Sequence, residues 1–206
     1  MVNELQLYGA KTGNCLRAAV GLSEAGLTYQ VRHVDLRAGE QRAAAHLALN
    51  PAGKVPVLVV PGSPPVVITQ SGAILWYASE QAPGRLLPPP GSLSRIEALE
   101  AYFYFTTDVI AANGFAFNLR SEGHHDSAAD VLTQRCLEAL AGSERFLTDA
   151  GYMGADTFSM ADIAGFTITT AVSKSLPWDQ LPRLAAWRER IAARPAVQQA
   201  MTAFDR

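Results

Sequence analysis

The chain has few of the residues that mark several special classes of protein. Its 206 residues include only two cysteines, too few for a disulfide framework or a cysteine-rich metal site. Charged residues make up 17% and leave a formal net charge of −2, so the composition gives no electrostatic case for nucleic acid. No uncharged apolar run is long enough to span a membrane, and the first residues lack the basic and apolar segments of a signal peptide. We therefore expect a cytoplasmic protein with neither a membrane nor a nucleic acid as partner.

Apolar residues, by contrast, make up 49% of the chain, which excludes a disordered protein and allows a substantial core. The composition changes near residue 82, where the stretch PGRLLPPPG cannot continue as helix or strand for long. This change predicts one domain over residues 1–81, a linker over residues 82–91 and a second domain over residues 92–206.

Hydrophobic spacing in the first domain predicts alternating strands and helices. A strand ends near Tyr8, a helix covers Cys15 to Ala25, and a second strand covers Tyr29 to Leu36. An irregular, alanine-rich helix from Ala38 to Leu49 precedes two short apolar runs and a helix from Ser71 to about Gln81. The order β-α-β-α-β-β-α is that of a thioredoxin-like domain of the α/β class.

Beyond the linker, the spacing predicts an all-helical domain. One long aromatic-rich helix is expected over Ser92 to Leu119 and a second over Asp126 to Thr148, with shorter helices after them. The aromatic residues Tyr102, Phe105 and Phe117 either pack in the core or line an apolar pocket, and the sequence leaves both interpretations open.

The stretch that organises the first domain is NPAGKVPVLVVPGSPPVVITQSG, from Asn50 to Gly72. Its apolar runs, Val57 to Val60 and Val66 to Ile68, are separated by PGSPP, which must turn, so they predict an antiparallel hairpin. The polar residues TQSG then lead directly into a helix, whose first-turn N–H groups lack intrahelical partners. A strand that ends in this way predicts an anion-binding site at the start of the helix.

This arrangement, x-V-P-x-L followed by Q-S-G-A-I, resembles the glutathione-binding half of the glutathione S-transferase family. The resemblance implies that Pro56 is cis and that Val55 pairs its backbone with the cysteinyl part of glutathione, as in β-augmentation. It also implies that Gln70 and Ser71 hold the γ-glutamyl end, and we include Lys54 in the binding segment. The family more often has glutamate where Gln70 stands, so we expect weaker recognition of the ligand's ammonium group.

Two later stretches extend the resemblance over nearly the whole chain. In FSMADI, Ser159 can cap a helix while Asp162, three residues later, reaches back, and the same box starts a core helix in that family. The ending LPRLAAWRERIAARPAV is also similar to the family. The resemblance implies glutathione as co-substrate, a small hydrophobic electrophile or a disulfide as second substrate, and a homodimer.

A glutathione enzyme must ionise a thiol whose usual pKa is about 8.5, and donors at a helix N-terminus favour the thiolate. The loop after the first strand enters a helix in this way. By resemblance, Thr12 falls where serine-type members carry their activating hydroxyl, and Asn14 follows two residues later. The pattern T-x-N is similar to the bacterial Nu-type (disulfide-reductase) and Ure2-like branch. Either residue could instead act only as a helix cap.

Other residues compete for a catalytic role. Cys15 could form a mixed disulfide with glutathione, but cysteine-type relatives carry that thiol about one position earlier, where Asn14 stands, so a core position is favoured. Tyr8 lies inside the first strand, which also favours burial. His124 and His125 have no third ligand at a defined spacing, so no metal is expected.

The sequence therefore predicts an enzyme, a glutathione transferase that activates glutathione as a thiolate for attack on a hydrophobic electrophile. Glutathione-dependent disulfide or peroxide reduction is the second interpretation. A non-catalytic interaction module with the same fold is the third.

Overall fold

The computed structural model describes residues 4–123 and 127–205, and the chain divides into two compact units. Residues up to Leu86 and those from Ala193 onward form the first unit, and Leu87–Ala192 form the second. The histidines at positions 124 and 125, considered above for metal binding, lie outside the described residues. Across the described ranges, no helix is long and apolar enough to cross a membrane.

The first unit has the predicted order of strands and helices. Its elements in chain order are β1 (Leu5–Gly9), α1 (Gly13–Glu24), β2 (Tyr29–His33), α2 (Ala44–Leu49), β3 (Val57–Val60), β4 (Val66–Ile68) and α3 (Ser71–Gln81). Both hairpin strands and α3 begin and end at the predicted residues. The region predicted as one helix, Ala38 to Leu49, is instead a 3-10 turn at Glu40–Arg42 followed by α2, because Ala43 between them is extended (φ −67°, ψ 147°).

The four strands form one mixed sheet in the order β2-β1-β3-β4. Strand β1 runs parallel to β2 and antiparallel to β3, so that Leu7 pairs with Val31 on one side and with Leu58 on the other. Helices α1 and α3 pack closely against each other. A Cβ atom at Gly21 would collide with the side chain of Leu75, so this approach requires glycine.

The named elements of the second unit are helices, as predicted for this part of the chain. They are α4 (Leu93–Tyr104), α5 (Ala111–Ser121), α6 (Ser127–Gly142), α7 (Met160–Ala171) and α8 (Pro182–Ala192). The backbone is helical from Leu93 to Ser121, close to the single helix predicted from Ser92 to Leu119, but a π-helical turn at Phe105–Ile110 divides it into α4 and α5. Phe105 and Val109 of this turn both lie in the core.

Helix α7 is the centre of the second unit, with every residue from Met160 to Thr169 buried. The capping box predicted at its start is present: the backbone N–H of Ser159 donates to Asp162 Oδ2 (2.9 Å). The other oxygen of Asp162 accepts from the backbone of Met153 (3.0 Å) and from Trp187 Nε1 (2.8 Å). One carboxylate therefore fixes the start of α7, the preceding loop and α8 together.

The last helix, α9 (Pro195–Met201), packs on α1 and belongs to the first unit. Arg194 donates two hydrogen bonds to the buried carboxylate of Glu24, at 2.6 and 2.8 Å. Further along, the ring of Phe204 packs against Gly9 at the end of β1. The sequence-based division assigned these residues to the helical domain, since nothing local in their sequence signals a partner so far away.

Candidate functional site

The sheet topology brings the three predicted binding segments to one edge of the first unit. Tyr8 near the end of β1 pairs with Val57 at the start of β3, and Leu58 pairs with Ile68 at the end of β4. The β1–α1 loop, the residues before β3 and the β4–α3 junction therefore leave the sheet side by side. These are the segments that contain every residue predicted for the site.

Thr12 caps α1, as one of the two sequence interpretations expected. Its backbone is extended (φ −123°, ψ 155°), and its Oγ1 accepts a hydrogen bond from the backbone N–H of Cys15 (3.3 Å). An oxygen that accepts in this way keeps its hydroxyl proton for donation elsewhere. Capping and donation to a bound sulfur are therefore compatible roles for the half-buried Thr12.

The cysteine beside it is a core residue. Cys15 is completely buried, and its sulfur lies so near Gly9 that a Cβ atom there would be 2.9 Å from it. Burial raises the pKa of the Cys15 thiol, while hydrogen bonding with Thr12 and with the Ala10 backbone and the charge of Arg17 act in the opposite direction to a smaller extent. A thiol with a raised pKa stays protonated at neutral pH, where the thiolate is the nucleophile.

Two other residues considered from the sequence have their reactive atoms buried or hydrogen-bonded within the protein. Cys136 is buried in α6, and burial raises its thiol pKa to about 11. Tyr8 is half-buried rather than a full core residue, and its hydroxyl donates to Gln6 Oε1 (3.0 Å).

Tyr102 and Phe105 are buried in the second unit, which decides their open assignment in favour of the core, whereas Phe117 is 68% exposed.

Arg17 links two of the predicted residues, and the sequence reasoning missed it. The side chain is only 3% exposed, and its Nη1 donates to Asn14 Oδ1 (2.6 Å) and to Ser71 Oγ (3.2 Å). Asn14 and Arg17 are three residues apart on α1 and so share a helix face. A single cation within an otherwise apolar helix is the signal that could have identified it.

Two buried polar side chains, those of His46 and Asn50, hold the segment before β3 in place. The peptide bond between Val55 and Pro56 is cis, as the resemblance implied. The carbonyl oxygen of Lys54 accepts a hydrogen bond from Asn50 Nδ2 (2.8 Å) and lies 3.1 Å from His46 Nε2. Asn50 also accepts from the backbone of Ala52 (3.1 Å), so its amide orientation is fixed. Lys54 itself extends its side chain into solvent.

Gln70 and Ser71 form the entrance to α3. Gln70 is the N-cap residue, with an extended backbone (φ −117°, ψ 128°) and an exposed side chain. Ser71 is the first helical residue and is half-buried. The first-turn N–H groups of α3 lack intrahelical acceptors and the N-terminal end of the helix dipole is positive, so an anion at this position is stabilised.

Together these groups form a row of hydrogen-bond donors along the sheet edge, from the hydroxyl of Thr12 to the start of α3. Hydroxyls, amides and a buried guanidinium can bind anions and favour a thiolate without a general base. Within residues 4–123 and 127–205, no group of three histidine, cysteine or acidic side chains is arranged to hold a metal ion. The arrangement suits an extended ligand that carries anionic or hydrogen-bond-accepting groups.

Comparison with known proteins gives matches along most of the chain. The family profile "Glutathione S-transferase, N-terminal domain" matches residues 3–80, and "Glutathione S-transferase, C-terminal domain" matches residues 112–202. Glutathione S-transferase 3 of Zea mays is 30% identical, over 97% of this chain and 94% of the maize protein. Disulfide-bond oxidoreductase YfcG of Escherichia coli is 29% identical, over 96% of this chain and 94% of that protein.

Among solved structures, the chain is similar to a glutathione transferase from Pseudomonas putida that was crystallised with one glutathione disulfide bound per subunit. The two are 25% identical and superpose with a TM-score of 0.83, over 96% of this chain and 90% of that one. The fold of both units thus has a solved counterpart.

Proposed function

Because the chain belongs to the glutathione S-transferase family, we propose that it is an enzyme that binds glutathione in its first unit and activates the thiol as a thiolate. The observation that carries the proposal is the convergence of three polar segments on one edge of the sheet, after β1, before β3 and after β4.

The proposed orientation of glutathione follows from the donors and acceptors along this edge. The backbone of Val55 pairs with the cysteinyl residue, and the γ-glutamyl carboxylate lies at Ser71 and the start of α3. Gln70 accepts a hydrogen bond from the ligand's ammonium. The exposed ammonium of Lys54 is available to the glycyl carboxylate. The sulfur then lies at the β1–α1 loop, within reach of Thr12 and Asn14.

In the proposed reaction the thiolate attacks an electrophilic carbon of a small hydrophobic compound. A carbon–sulfur bond forms and the leaving group departs with its electron pair, so glutathione becomes a thioether. The protein's contribution is to favour the thiolate: each unit by which the thiol pKa falls requires about 1.4 kcal/mol of preference for the anion. Donation by Thr12 and Asn14 and the N-terminus of α1 supply it.

Disulfide reduction is a second candidate, favoured by the similarity to a protein named disulfide-bond oxidoreductase and to a structure that contains glutathione disulfide. Here the thiolate attacks a disulfide sulfur and releases the other sulfur as a thiolate. A second glutathione then resolves the mixed disulfide to glutathione disulfide. Buried Cys15 takes no part in this exchange.

We also propose a homodimer and a cytoplasmic location. A reducing compartment suits the two buried thiols of Cys15 and Cys136, which are unpaired in the described part of the chain. A two-fold dimer is the commonest closed assembly of soluble proteins.

The test is retention on immobilised glutathione followed by turnover with two probes, a chlorodinitrobenzene-type electrophile and hydroxyethyl disulfide. Conjugation of the first probe supports the leading proposal, and reduction of the second supports the alternative. Retention without turnover of either would favour a non-catalytic module. A protein that is neither retained nor active would refute the proposed glutathione site.

A further inference from the structure

The buried guanidinium of Arg17 contacts both ends of the row of donors. A single nitrogen, Nη1, lies 2.6 Å from Asn14 Oδ1 and 3.2 Å from Ser71 Oγ. Asn14 belongs to the end of the site near Thr12, and Ser71 belongs to the start of α3. The side chain therefore bridges two groups that are assigned to different parts of the ligand.

The chemistry of arginine fixes the orientation of both partners. A guanidinium has N–H donors and no acceptor, so each group that faces it must accept. Asn14 therefore presents Oδ1 to Arg17, and its Nδ2 with two hydrogens is directed away. Ser71 likewise uses its oxygen to accept from Arg17, so its O–H is available to donate.

We propose that Arg17 is a positioning residue that sets the hydrogen-bond polarity at both ends of the site. By occupying the acceptor atoms of Asn14 and Ser71, it turns both side chains into donors towards the ligand. Donors are what a thiolate and a carboxylate require, since both are anions. This inference rests on the proposed function, because it assumes that glutathione is the ligand.

The polarity matters because either partner could otherwise face the ligand wrongly. If the Asn14 amide were rotated by half a turn, its oxygen would face the sulfur anion. If the Ser71 hydroxyl pointed its hydrogen away from the ligand, its lone pairs would face the carboxylate. Each reversal replaces an attraction by a repulsion. A cation at Arg17 prevents both reversals with one group, and its charge also favours anions nearby.

Two substitutions of Arg17 separate the effect of a side chain that can only donate hydrogen bonds from the effect of its size. Arg17→Lys keeps a side chain that only donates, whereas Arg17→Gln introduces an amide that can both donate and accept. Ser71→Ala and Asn14→Ala serve as controls that each affect one end. Two quantities are measured for every variant: the dissociation constant of S-methylglutathione, which has no ionisable thiol, and the pKa of bound glutathione from its ultraviolet thiolate band.

We expect Arg17→Gln to weaken S-methylglutathione binding about tenfold or more and to raise the pKa of the bound thiol by about one unit. Arg17→Lys should remain within about threefold of wild type in affinity, since it donates but lacks the planar fork of arginine. Ser71→Ala should change mainly the affinity, and Asn14→Ala mainly the pKa.

A merely structural role would lower the unfolding temperature without this pattern. The inference is overturned if Arg17→Gln leaves either quantity at the wild-type value, or if Arg17→Lys loses as much as Arg17→Gln. Should Arg17→Gln fail to fold, the lysine variant decides: near-wild-type values in both measurements support the inference and a loss in both overturns it. If wild type itself binds no S-methylglutathione and shows no thiolate band, the proposed function has failed instead.

Discussion

Replacing Thr12 by alanine should raise the pKa of glutathione bound to this protein while leaving the fold intact. The hydroxyl accepts from the backbone N–H of Cys15 at 3.3 Å, and in the proposed complex its proton donates to the ligand sulfur. The Thr12→Ala variant loses both interactions. Thr12→Ser keeps a hydroxyl at the same position and is the matched control.

The size of the effect follows from the two interactions that are lost. A hydrogen bond to a charged group contributes about 1.5–3 kcal/mol, and one pKa unit corresponds to about 1.4 kcal/mol, so the bound thiol's pKa should rise by about one to two units. Loss of the helix cap should cost about 1 kcal/mol of folding stability. For a chain of this length, that lowers the unfolding temperature by only about 2–4 °C.

The assay is the pH dependence of both the thiolate band and the rate of conjugation. Raising the pKa removes thiolate at neutral pH, so the rate should fall about tenfold for each unit. The deficit should shrink as the pH rises through the variant's pKa, and it should vanish well above it, where the thiol is ionised in both proteins. Thr12→Ser should follow the wild-type profile closely.

Cys15 is the competing nucleophile, and its substitution tests the same reasoning from the other side. Cys15→Ala should leave the thiolate band unchanged and cost roughly 1 kcal/mol of stability, as for the loss of one buried methyl-sized group. Mass spectrometry after incubation with glutathione disulfide should find no adduct on the buried Cys15 thiol. An adduct there, together with an unmoved band in Thr12→Ala, would refute the reasoning.

The remaining predictions concern the ligand's γ-glutamyl end, the assembly and the helical core. Ser71→Ala should weaken glutathione binding by roughly 1–3 kcal/mol, and Gln70→Glu should tighten it by restoring a charge opposite the ammonium; calorimetry that finds no change in both variants would contradict the assignment. Light scattering should give about twice the 22.1 kDa of the chain; a wild-type monomer at micromolar concentration would exclude the dimer. Asp162→Ala should cost at least about 3 kcal/mol in urea denaturation, because the buried N–H donors of Met153, Ser159 and Trp187 lose their acceptor.

The sequence by itself determined the parts of this protein that depend on residues close together in the chain. The turn residues at 61–65 fixed both hairpin strands, and the polar residues before α3 fixed where that helix begins. Ser159 and Asp162 of the capping box are three positions apart, and the sequence predicted this box as well. The resemblance to the family rested on the same local patterns. One assignment made from the sequence remains a prediction, namely the site roles of Thr12, Asn14, Lys54, Gln70 and Ser71.

Only the tertiary structure decided what those residues touch. The hydrogen bond from Arg17 to Ser71 joins positions 54 apart, and the one from Arg194 to Glu24 joins positions 170 apart. No local pattern encodes such a pair, because either arginine would be an ordinary helical residue until the sheet and helices bring its partner near. The burial of Cys15 is of the same kind. A thiol near a helix start is reactive in solvent and inert in a core, and the structure places the Cys15 thiol in the core, close to Gly9.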